Sequence, residues 1–559
     1  MIQYFIINNG SRAAQYGIGS YVNQVAEMFN HDDKYLLSFI DLYADVKECK
    51  SYTDDLGICH YQIPPYSGGK EDEKYNRNLY YLIIQLIEEK DDLIFHFNYF
   101  HHYELAILLK SRFINSRIVL TVHYLEWCFE LKGNITKFQE IINANLNTID
   151  EKQKIIYDSF ANEQNFMRLC DEIVLLSKRT LSLVVSDYKI SENKLHLIYN
   201  GLNTNNSLLN KKIDKEELFS LEANKKYILF AGRLEDTKGL KCLINAFRSL
   251  TEKYKDIYLL IVGDGDYNCY LKQSRGLWNR IIYTGKVSKP QLFKFYKEAY
   301  MGILPSFNEQ CSYSAIEMMS FGLPFIGTDS TGLKEMFEKI PEHMVCIDEN
   351  SFSEESFEKE LANKIEMLLI NEKKRIELSS ILLNKFHQYY TIDCMKTSYK
   401  KMFFEIFEKK HEGLSSDFYI NLDNKMIDLI NERPDINFNF FGLTGIGIYL
   451  WWRHEYLLKI NDSGSISKSL FIQEYLIHYV DWIQDVLNLS DNIVEEASIN
   501  YLLYILNKMN NKGFYKTKVY SLIQDVQNTN QMNSNLLKVI DLTQNEIINN
   551  ALQIFNCRI

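Results

Sequence analysis

The sequence predicts an α/β fold, with two successive parallel-sheet units followed by a mostly α-helical appendage. Three observations lead there. Roughly the first 200 residues alternate short apolar runs with helical patterns; a second such series begins after the polar linker Asn203–Lys226; and from Glu412 onward the chain is rich in Asn, Ile and Leu, with Pro434 its one proline. Parallel strands need a crossover between them, so strand and helix signals must alternate.

In the first series the apolar runs Gln3–Ile7, Tyr35–Phe39, Leu93–Phe97, Ile118–Val122, Glu172–Leu176 and Leu195–Ile198 read as strands. Between Tyr124 and Leu169 a polar, helix-compatible stretch reads as an inserted helical pair. In the second series the strands are Tyr227–Ala231, Tyr258–Val262, Ile281–Thr284, Met301–Leu304, Pro324–Gly327 and Val345–Ile347, with amphipathic helices from about Ser356 to Lys410. The domains expected are therefore 1–202 with an insertion at about 124–169, 203–390, crossover helices at 391–411, and a helical accessory domain at 412–559.

At 559 residues the chain exceeds what one core holds. Its 46% hydrophobic and 24% charged content is that of a folded protein. A net charge of -11 speaks against a nucleic-acid partner, whose phosphates reward clustered Lys and Arg, yet leaves room for a small anion in a locally basic cleft. No two of the ten cysteines are closer than ten residues, so no CxxC pair is available for zinc, and a reducing compartment is expected. The N-terminal MIQYFIINNG lacks a basic leader and reads as a first strand, and no stretch approaches the ~20 apolar residues that span a bilayer. A cytoplasmic protein is expected.

Two segments carry the chemistry. YILFAGRLEDTKGLKCLINAF is a strand, a turn and a helix start, which sets Arg233 and Lys238 at the carboxyl end of a strand, where open α/β sheets bind ligands. Two cations beside a helix N-terminus suit a diphosphate. In LPSFNEQCSYSAIEMMSFGLPFIGTDSTG, Glu309 lies in the loop after a strand and Glu317 lies within the helix that begins near Ser312. Both carboxylates reach one cleft, where each can accept paired hydroxyls, while the backbone N–H groups of Ser312, Tyr313 and Ser314 face a phosphate. The triplet Asp264-Gly265-Asp266 follows a strand and reads as a turn, although it imitates a metal-binding DxD.

These residues resemble the retaining glycosyltransferase family 4 of GT-B fold. The match lies in Gly232-Arg233-Leu234…Lys238-Gly239 and in Glu309-x7-Glu317, and extends over roughly residues 1–410. The resemblance implies two facing Rossmann-like domains. It also implies a nucleoside diphosphate sugar as donor, a hydroxyl acceptor and no metal or other cofactor. By the same resemblance Arg233 and Lys238 bind the donor diphosphate, Glu309 contacts the donor sugar and Glu317 the ribose, with Gly232, Ser312, Tyr313 and Ser314 beside them. Tyr16-Gly17-Ile18-Gly19-Ser20-Tyr21 is similar to the family's glycine-rich loop, which gives Gly17 and Gly19 to the donor, and His123 stands where the family has a His facing the donor sugar. Asn200-Gly201 matches the interdomain turn and is read as hinge.

Two departures bear on substrate. Gln310-Cys311-Ser312-Tyr313 replaces the glycines or aromatics usual after the first Glu, which locates donor choice there. Tyr124 stands where the family often has Asp. The segments His123-Tyr-Leu-Glu-Trp127-Cys and Glu309-Gln-Cys-Ser-Tyr313 resemble the subgroup associated with bacterial radical-SAM peptide maturation, which implies a peptide acceptor; glycan and lipid-linked acceptors stay open. No polybasic amphipathic helix supports peripheral membrane contact. In the appendage, Phe441–Tyr449 is similar to the glycine repeats of lanthionine-cyclase-like barrels, but His454, His478 and Cys557 lack zinc-site spacing. A packing or homo-oligomerisation role is expected. Two rival functions remain, a nucleotide-sugar epimerase of the same fold and a catalytically silent scaffold.

Overall fold

The computed structural model describes residues 2–408 apart from 11–16, 31, 66–72, 88–92, 114–115, 146–147, 205–218 and 348–351, and beyond them the helix Leu443–Ile460 with single positions between 423 and 479. The chain divides into two compact units. The first comprises residues 1–72, 92–103 and 117–409, and the second residues 73–91, 104–116 and 410–559.

The first half supplies β1 (Ile2–Asn9), α1 (Gly17–Phe29), β2 (Tyr35–Leu42), β3 (Lys50–Thr53), β4 (Cys59–Gln62), α2 (Glu73–Ile84), β5 (Leu93–Phe97), α3 (Tyr103–Arg112), β6 (Arg117–Val122), α4 (Trp127–Glu130), α5 (Ile135–Ile142), α6 (Glu151–Leu169), β7 (Glu172–Leu175), α7 (Lys178–Ser186) and β8 (Leu195–Leu197). Its sheet runs β3-β4-β2-β1-β5-β6-β7-β8, parallel except for the β3–β4 pair. The second half supplies β9 (Lys226–Ala231), α8 (Leu240–Lys253), β10 (Ile257–Val262), α9 (Tyr267–Gln273), β11 (Ile281–Gly285), α10 (Lys289–Glu298), β12 (Met301–Leu304), α11 (Tyr313–Ser320), β13 (Phe325–Thr328), α12 (Thr331–Met336), β14 (Met344–Val345), α13 (Glu354–Ile370), α14 (Glu372–Tyr389) and α15 (Ile392–Glu408). The second sheet is all parallel in the order β11-β10-β9-β12-β13-β14, the Rossmann arrangement.

Every expected strand is present, with ends shifted by at most three residues. β5, β7, β12 and β13 are buried along their whole length, which explains their largely apolar sequences. The hairpin β3–β4 went unforeseen. All four residues of β3 are exposed and those of β4 only half-buried, so no apolar alternation marks them. Asp54 closes that hairpin by accepting the N–H groups of Leu56 and Ile58, each at 2.9 Å. The insertion is helical as expected: α5 starts on Asn134, which accepts the Lys137 N–H, and α6 on an Asp150–Gln153 capping box.

The chain passes between the two sheets twice, side by side. Leu202 N–H bonds the Tyr390 carbonyl at 2.9 Å, and Ile392 N–H bonds the Leu202 carbonyl at 3.1 Å. After the return, α15 lies on α1 of the first lobe, where Tyr399 and Tyr21 hydroxyls meet and the Phe403 ring packs on Tyr4 and Phe29, both at 5.4 Å.

In the second unit the helix Leu443–Ile460 carries Arg453, whose Nε lies 3.0 Å from Asp423 Oδ2, and Tyr449, whose hydroxyl bonds Asp423 Oδ1 at 2.6 Å. His454 is buried on this helix, whereas His478, Cys557 and most of the expected accessory domain lie outside the described residues. Among the described residues no helix is long and apolar enough to cross a membrane.

Candidate active site

Each sheet reverses its strand order once, at β1/β5 and at β9/β12, and open α/β sheets bind ligands at the carboxyl ends of strands beside such a reversal. At the end of β9 the Gly232 N–H bonds the Val262 carbonyl at 3.0 Å, and the chain turns through Arg233, whose Nη1 lies 3.0 Å from Glu235 Oε1. A 3-10 turn, Asp236–Lys238, ends on Gly239 at φ +64, where a Cβ would overlap the Pro305 carbonyl oxygen. Only glycine meets both conditions. The Phe307 N–H then bonds the Thr237 carbonyl at 2.9 Å, which locks this turn to the loop after β12.

That lock brings Lys238 to Glu309, Nζ to Oε1 at 2.6 Å, and the Ser306 hydroxyl donates to the same oxygen at 2.9 Å. Ser312 caps α11 by accepting the Ala315 N–H, leaving the N–H groups of the first turn for a ligand. Glu317, one turn further along α11, is 2% exposed; it accepts from the Tyr296 hydroxyl at 2.9 Å and pairs with Lys289 at the start of α10.

Across the cleft, β6 ends at His123. Its Nε2 lies 2.9 Å from Asn98 Oδ1, and its ring meets Tyr21 edge-on at 4.6 Å. Asn98 Nδ2 reaches the Ile7 carbonyl at 3.4 Å, so its oxygen faces the histidine and assigns the proton to Nε2. Desolvation, with a smaller push from His96, lowers the His123 pKa to about 3. The imidazole is therefore neutral, with Nδ1 an acceptor. Gly17 and Gly19 do not form the loop expected of them. They open α1 as its first turn, because Ile18, Tyr21, Val22 and Val25 bury one helical face from Gly17 onward. Tyr16 lies outside the described residues.

One cleft of about 1410 Å³ within the first unit is lined by every residue that the sequence assigns to catalysis or donor binding: Gly17, Gly19 and His123 on one wall, and Gly232, Arg233, Lys238, Glu309, Ser312, Tyr313, Ser314 and Glu317 on the other. Its lysines and arginine all lie on one wall. Arg233, Lys238, Lys286 and Lys289 line the second-sheet wall, and Glu126 and Glu130 the first-sheet wall beside Tyr124 and Phe129. The Asp264-Gly265-Asp266 triplet is a turn and a cap: Asp264 accepts the Gly265 N–H, and Asp266 starts α9 by accepting that of Asn268. Among the described residues no three of His, Cys, Asp and Glu gather as a metal site.

Residues 211–381 match the glycosyl transferases group 1 family, and residues 43–206 match Glycosyltransferase Family 4. Four residues separate the two stretches, which together take in more than half of the chain. The chain belongs to the group 1, family 4 glycosyltransferases.

An uncharacterized glycosyltransferase of Methanocaldococcus jannaschii is 30% identical over 174 residues, covering 30% of this chain and 44% of that protein. The O-antigen biosynthesis glycosyltransferase WclY of Escherichia coli is 24% identical over 243 residues, 43% of this chain and 63% of that protein. Mannosylfructose-phosphate synthase of Agrobacterium fabrum is 28% identical over 200 residues, 32% and 44% of the two chains. The chain thus spans about half the length of these relatives. Sucrose-phosphate synthase of Thermosynechococcus elongatus superposes with a TM-score of 0.57 at 16% identity, over 73% of this chain and 100% of that one. Anabaena HepE in complex with UDP and glucose does so with 0.51 at 17% identity, over 72% and 99%. These likenesses show the GT-B fold, two Rossmann-like parallel sheets with C-terminal helices.

Within the GT-B cleft, Lys289 escaped the sequence reading. Its signal was local: KVSKP follows β11 as a strand end leading into a helix, the same context that singled out Arg233 and Lys238. Asn200, read as hinge, also lines the cleft and donates from Nδ2 to the Cys311 carbonyl at 2.7 Å.

Proposed function

We propose that this glycosyltransferase transfers a hexosyl group from a nucleoside diphosphate sugar to a hydroxyl acceptor with retention of configuration and without a metal. The observation that carries the reading is one wall that holds Arg233, Lys238, the α11 N-terminus, Glu309 and Glu317 together. As the anomeric carbon leaves the phosphate oxygen, negative charge grows on the diphosphate, and two fixed cations with oriented N–H groups stabilise it at no cost in reorganisation. Glu309, held by Lys238 and Ser306, accepts donor-sugar hydroxyls, and Glu317, held by Tyr296 and Lys289, accepts those of the ribose. Neutral His123 offers Nδ1 to the sugar from the facing wall. The new bond forms between the anomeric carbon and the acceptor oxygen on the face the phosphate leaves, and the acceptor proton passes to the departing phosphate oxygen. No side-chain nucleophile is then required.

The HepE complex with UDP and glucose supports a uridine nucleotide as donor. The resemblance of the His123–Cys128 segment to the radical-SAM peptide-maturation subgroup supports a peptide acceptor in a bacterial cytoplasm, and the apolar, acidic first-sheet wall suits a peptide with cationic residues. The O-antigen relative supports a glycan instead. Incubation with a panel of nucleotide sugars tests the reaction class. Slow hydrolysis of one donor supports transfer, an altered sugar on the intact nucleotide shows an epimerase, and no change in any donor shows a scaffold. Adding serine- and threonine-containing peptides or oligosaccharides to the hydrolysed donor separates the acceptor classes.

A further inference from the structure

The residue after Glu309 does not serve the donor pocket alone. Gln310 is 6% exposed, and its Oε1 faces the start of α7 in the first lobe, where it accepts from the Thr180 hydroxyl and lies 3.3 Å from Ser177 Oγ. The Ser177 hydroxyl lies 2.8 Å from Thr180 Oγ1, so the buried hydroxyls form a short relay ending on the Gln310 amide. The next residue is tied across the lobes as well, through Asn200 Nδ2 to the Cys311 carbonyl at 2.7 Å. A third tie lies close by: Glu335 on α12 accepts the Arg179 N–H at 3.2 Å and the Tyr199 hydroxyl at 2.7 Å.

From its own lobe the same segment is held differently. The Gly332 N–H bonds the Glu309 carbonyl at 2.6 Å, and a Cβ on Gly332 would overlap the Gln310 carbonyl oxygen. Lys238 and Ser306 hold the Glu309 carboxylate. The carboxylate is thus fixed from the second lobe, while residues 310 and 311 of the same segment are fixed from the first.

We propose that Gln310 is a positioning residue that ties the Glu309 loop to the start of α7, so that the carboxylate is set for the donor sugar only while the two lobes are closed. This rests on the transfer reading and adds to it a reason for the unusual residue after Glu309. Separation of the lobes breaks the ties at 310 and 311 but leaves those of Lys238 and Ser306, so the loop that carries Glu309 is then fixed from one lobe instead of two. Gln310 therefore acts on turnover more than on nucleotide affinity, since the diphosphate-facing cations sit outside the tie.

The test uses Gln310→Leu, Thr180→Val, the double variant and Thr180→Ser in the full chain, with UDP-glucose, UDP-galactose, UDP-N-acetylglucosamine and GDP-mannose as donors. Each of the first two single variants should lower kcat for donor hydrolysis about tenfold, with the Kd for UDP kept within about twofold. The double variant should be no slower than either single one, and Thr180→Ser should stay near wild type. Wild-type kcat in Gln310→Leu, an additive loss of about a hundredfold in the double variant, or UDP affinity falling in step with kcat would each overturn the proposal. Small-angle scattering with UDP provides a readout free of catalysis. If the wild type hydrolyses none of the donors, the transfer reading fails by itself, and the tie is then judged by shape: variants more open than wild type support it, and identical profiles overturn it.

Discussion

Lys238 Nζ lies 2.6 Å from Glu309 Oε1, so the cation assigned to the diphosphate and the carboxylate assigned to the sugar are partners before any donor arrives. Both side chains are largely shielded, and this pairing fixes the two groups to each other.

Lys238→Met should therefore do double damage. It removes one of two cations from the leaving group and leaves Glu309 with Ser306 as its neutral partner. Donor hydrolysis should fall about a hundredfold or more, the order seen when one preorganised charge stabiliser is deleted. Stability should change little, since the pair lies at the cleft. Rates and melting curves measured together check this; a melting point lowered in proportion to the rate would make the residue structural.

Glu317 gives a graded prediction. Glu317→Gln keeps an acceptor for the Tyr296 hydroxyl but loses the charge that Lys289 faces, whereas Glu317→Ala takes the carboxylate acceptor away from that buried hydroxyl. UDP binding should weaken in both. Only the alanine variant should also lose about 1 kcal/mol of stability, the net worth of one buried hydrogen bond. Calorimetry and urea denaturation separate the two effects, and equal destabilisation by both variants would contradict this division.

Why these residues were legible, and others not, follows from range. Arg233 and Lys238 sit directly after a strand of buried apolar residues, so their position could be read within one segment. The buried strands announced themselves through composition, but β3 and β4 did not, because an exposed edge hairpin needs no apolar pattern. Gly17 and Gly19 misled for the opposite reason: the glycines suggested a loop, while the apolar face of α1 decided for helix. Gln310 has no local signal at all. Its partner Thr180 is 130 residues away, and nothing in either segment names the other.

Burial sets a pH prediction at Glu163, in the inserted helix α6. It is 1% exposed and accepts the Glu126 N–H at 2.6 Å and the Tyr188 hydroxyl at 2.5 Å, yet desolvation raises its pKa to about 8. The folded protein thus holds a proton that the unfolded chain releases near its ordinary value. The Glu163 contribution to stability should then be fully present below the unfolded pKa of about 4 and be lost as pH rises towards 8, a few kcal/mol in all. Glu163→Gln, a neutral mimic, should flatten that decline. Melting temperatures between pH 5 and 9 provide the comparison, and equal slopes in both proteins would refute it.

His123 titrates in the other direction. Its pKa of about 3 means that the ring stays neutral throughout the working range. An acid limb in the rate profile above pH 5 must come from another group. His123→Gln should lower donor turnover yet leave the limbs of that profile where they are; a limb that moved would show the histidine to titrate in the reaction.

Two glycines separate contact with ligand from contact with the fold. At Gly332 an added Cβ meets the Gln310 carbonyl, and the loop that carries Glu309 must shift. Gly332→Ala should cost donor turnover about a hundredfold, in line with losses from displacing a reactive geometry by about an ångström. At Gly17 an added Cβ meets nothing within 4 Å among the described residues, and the residue lies in the first turn of α1, where alanine is intrinsically the better helix former by up to about 1 kcal/mol. Gly17→Ala should therefore melt no lower than wild type. If Gly17 approaches the donor as its place on the cleft wall implies, the same variant should weaken donor binding, because the methyl group then projects towards the ligand. Unchanged donor affinity in a fully stable Gly17→Ala variant would remove Gly17 from the site while leaving Arg233, Lys238, Glu309 and Glu317 in it.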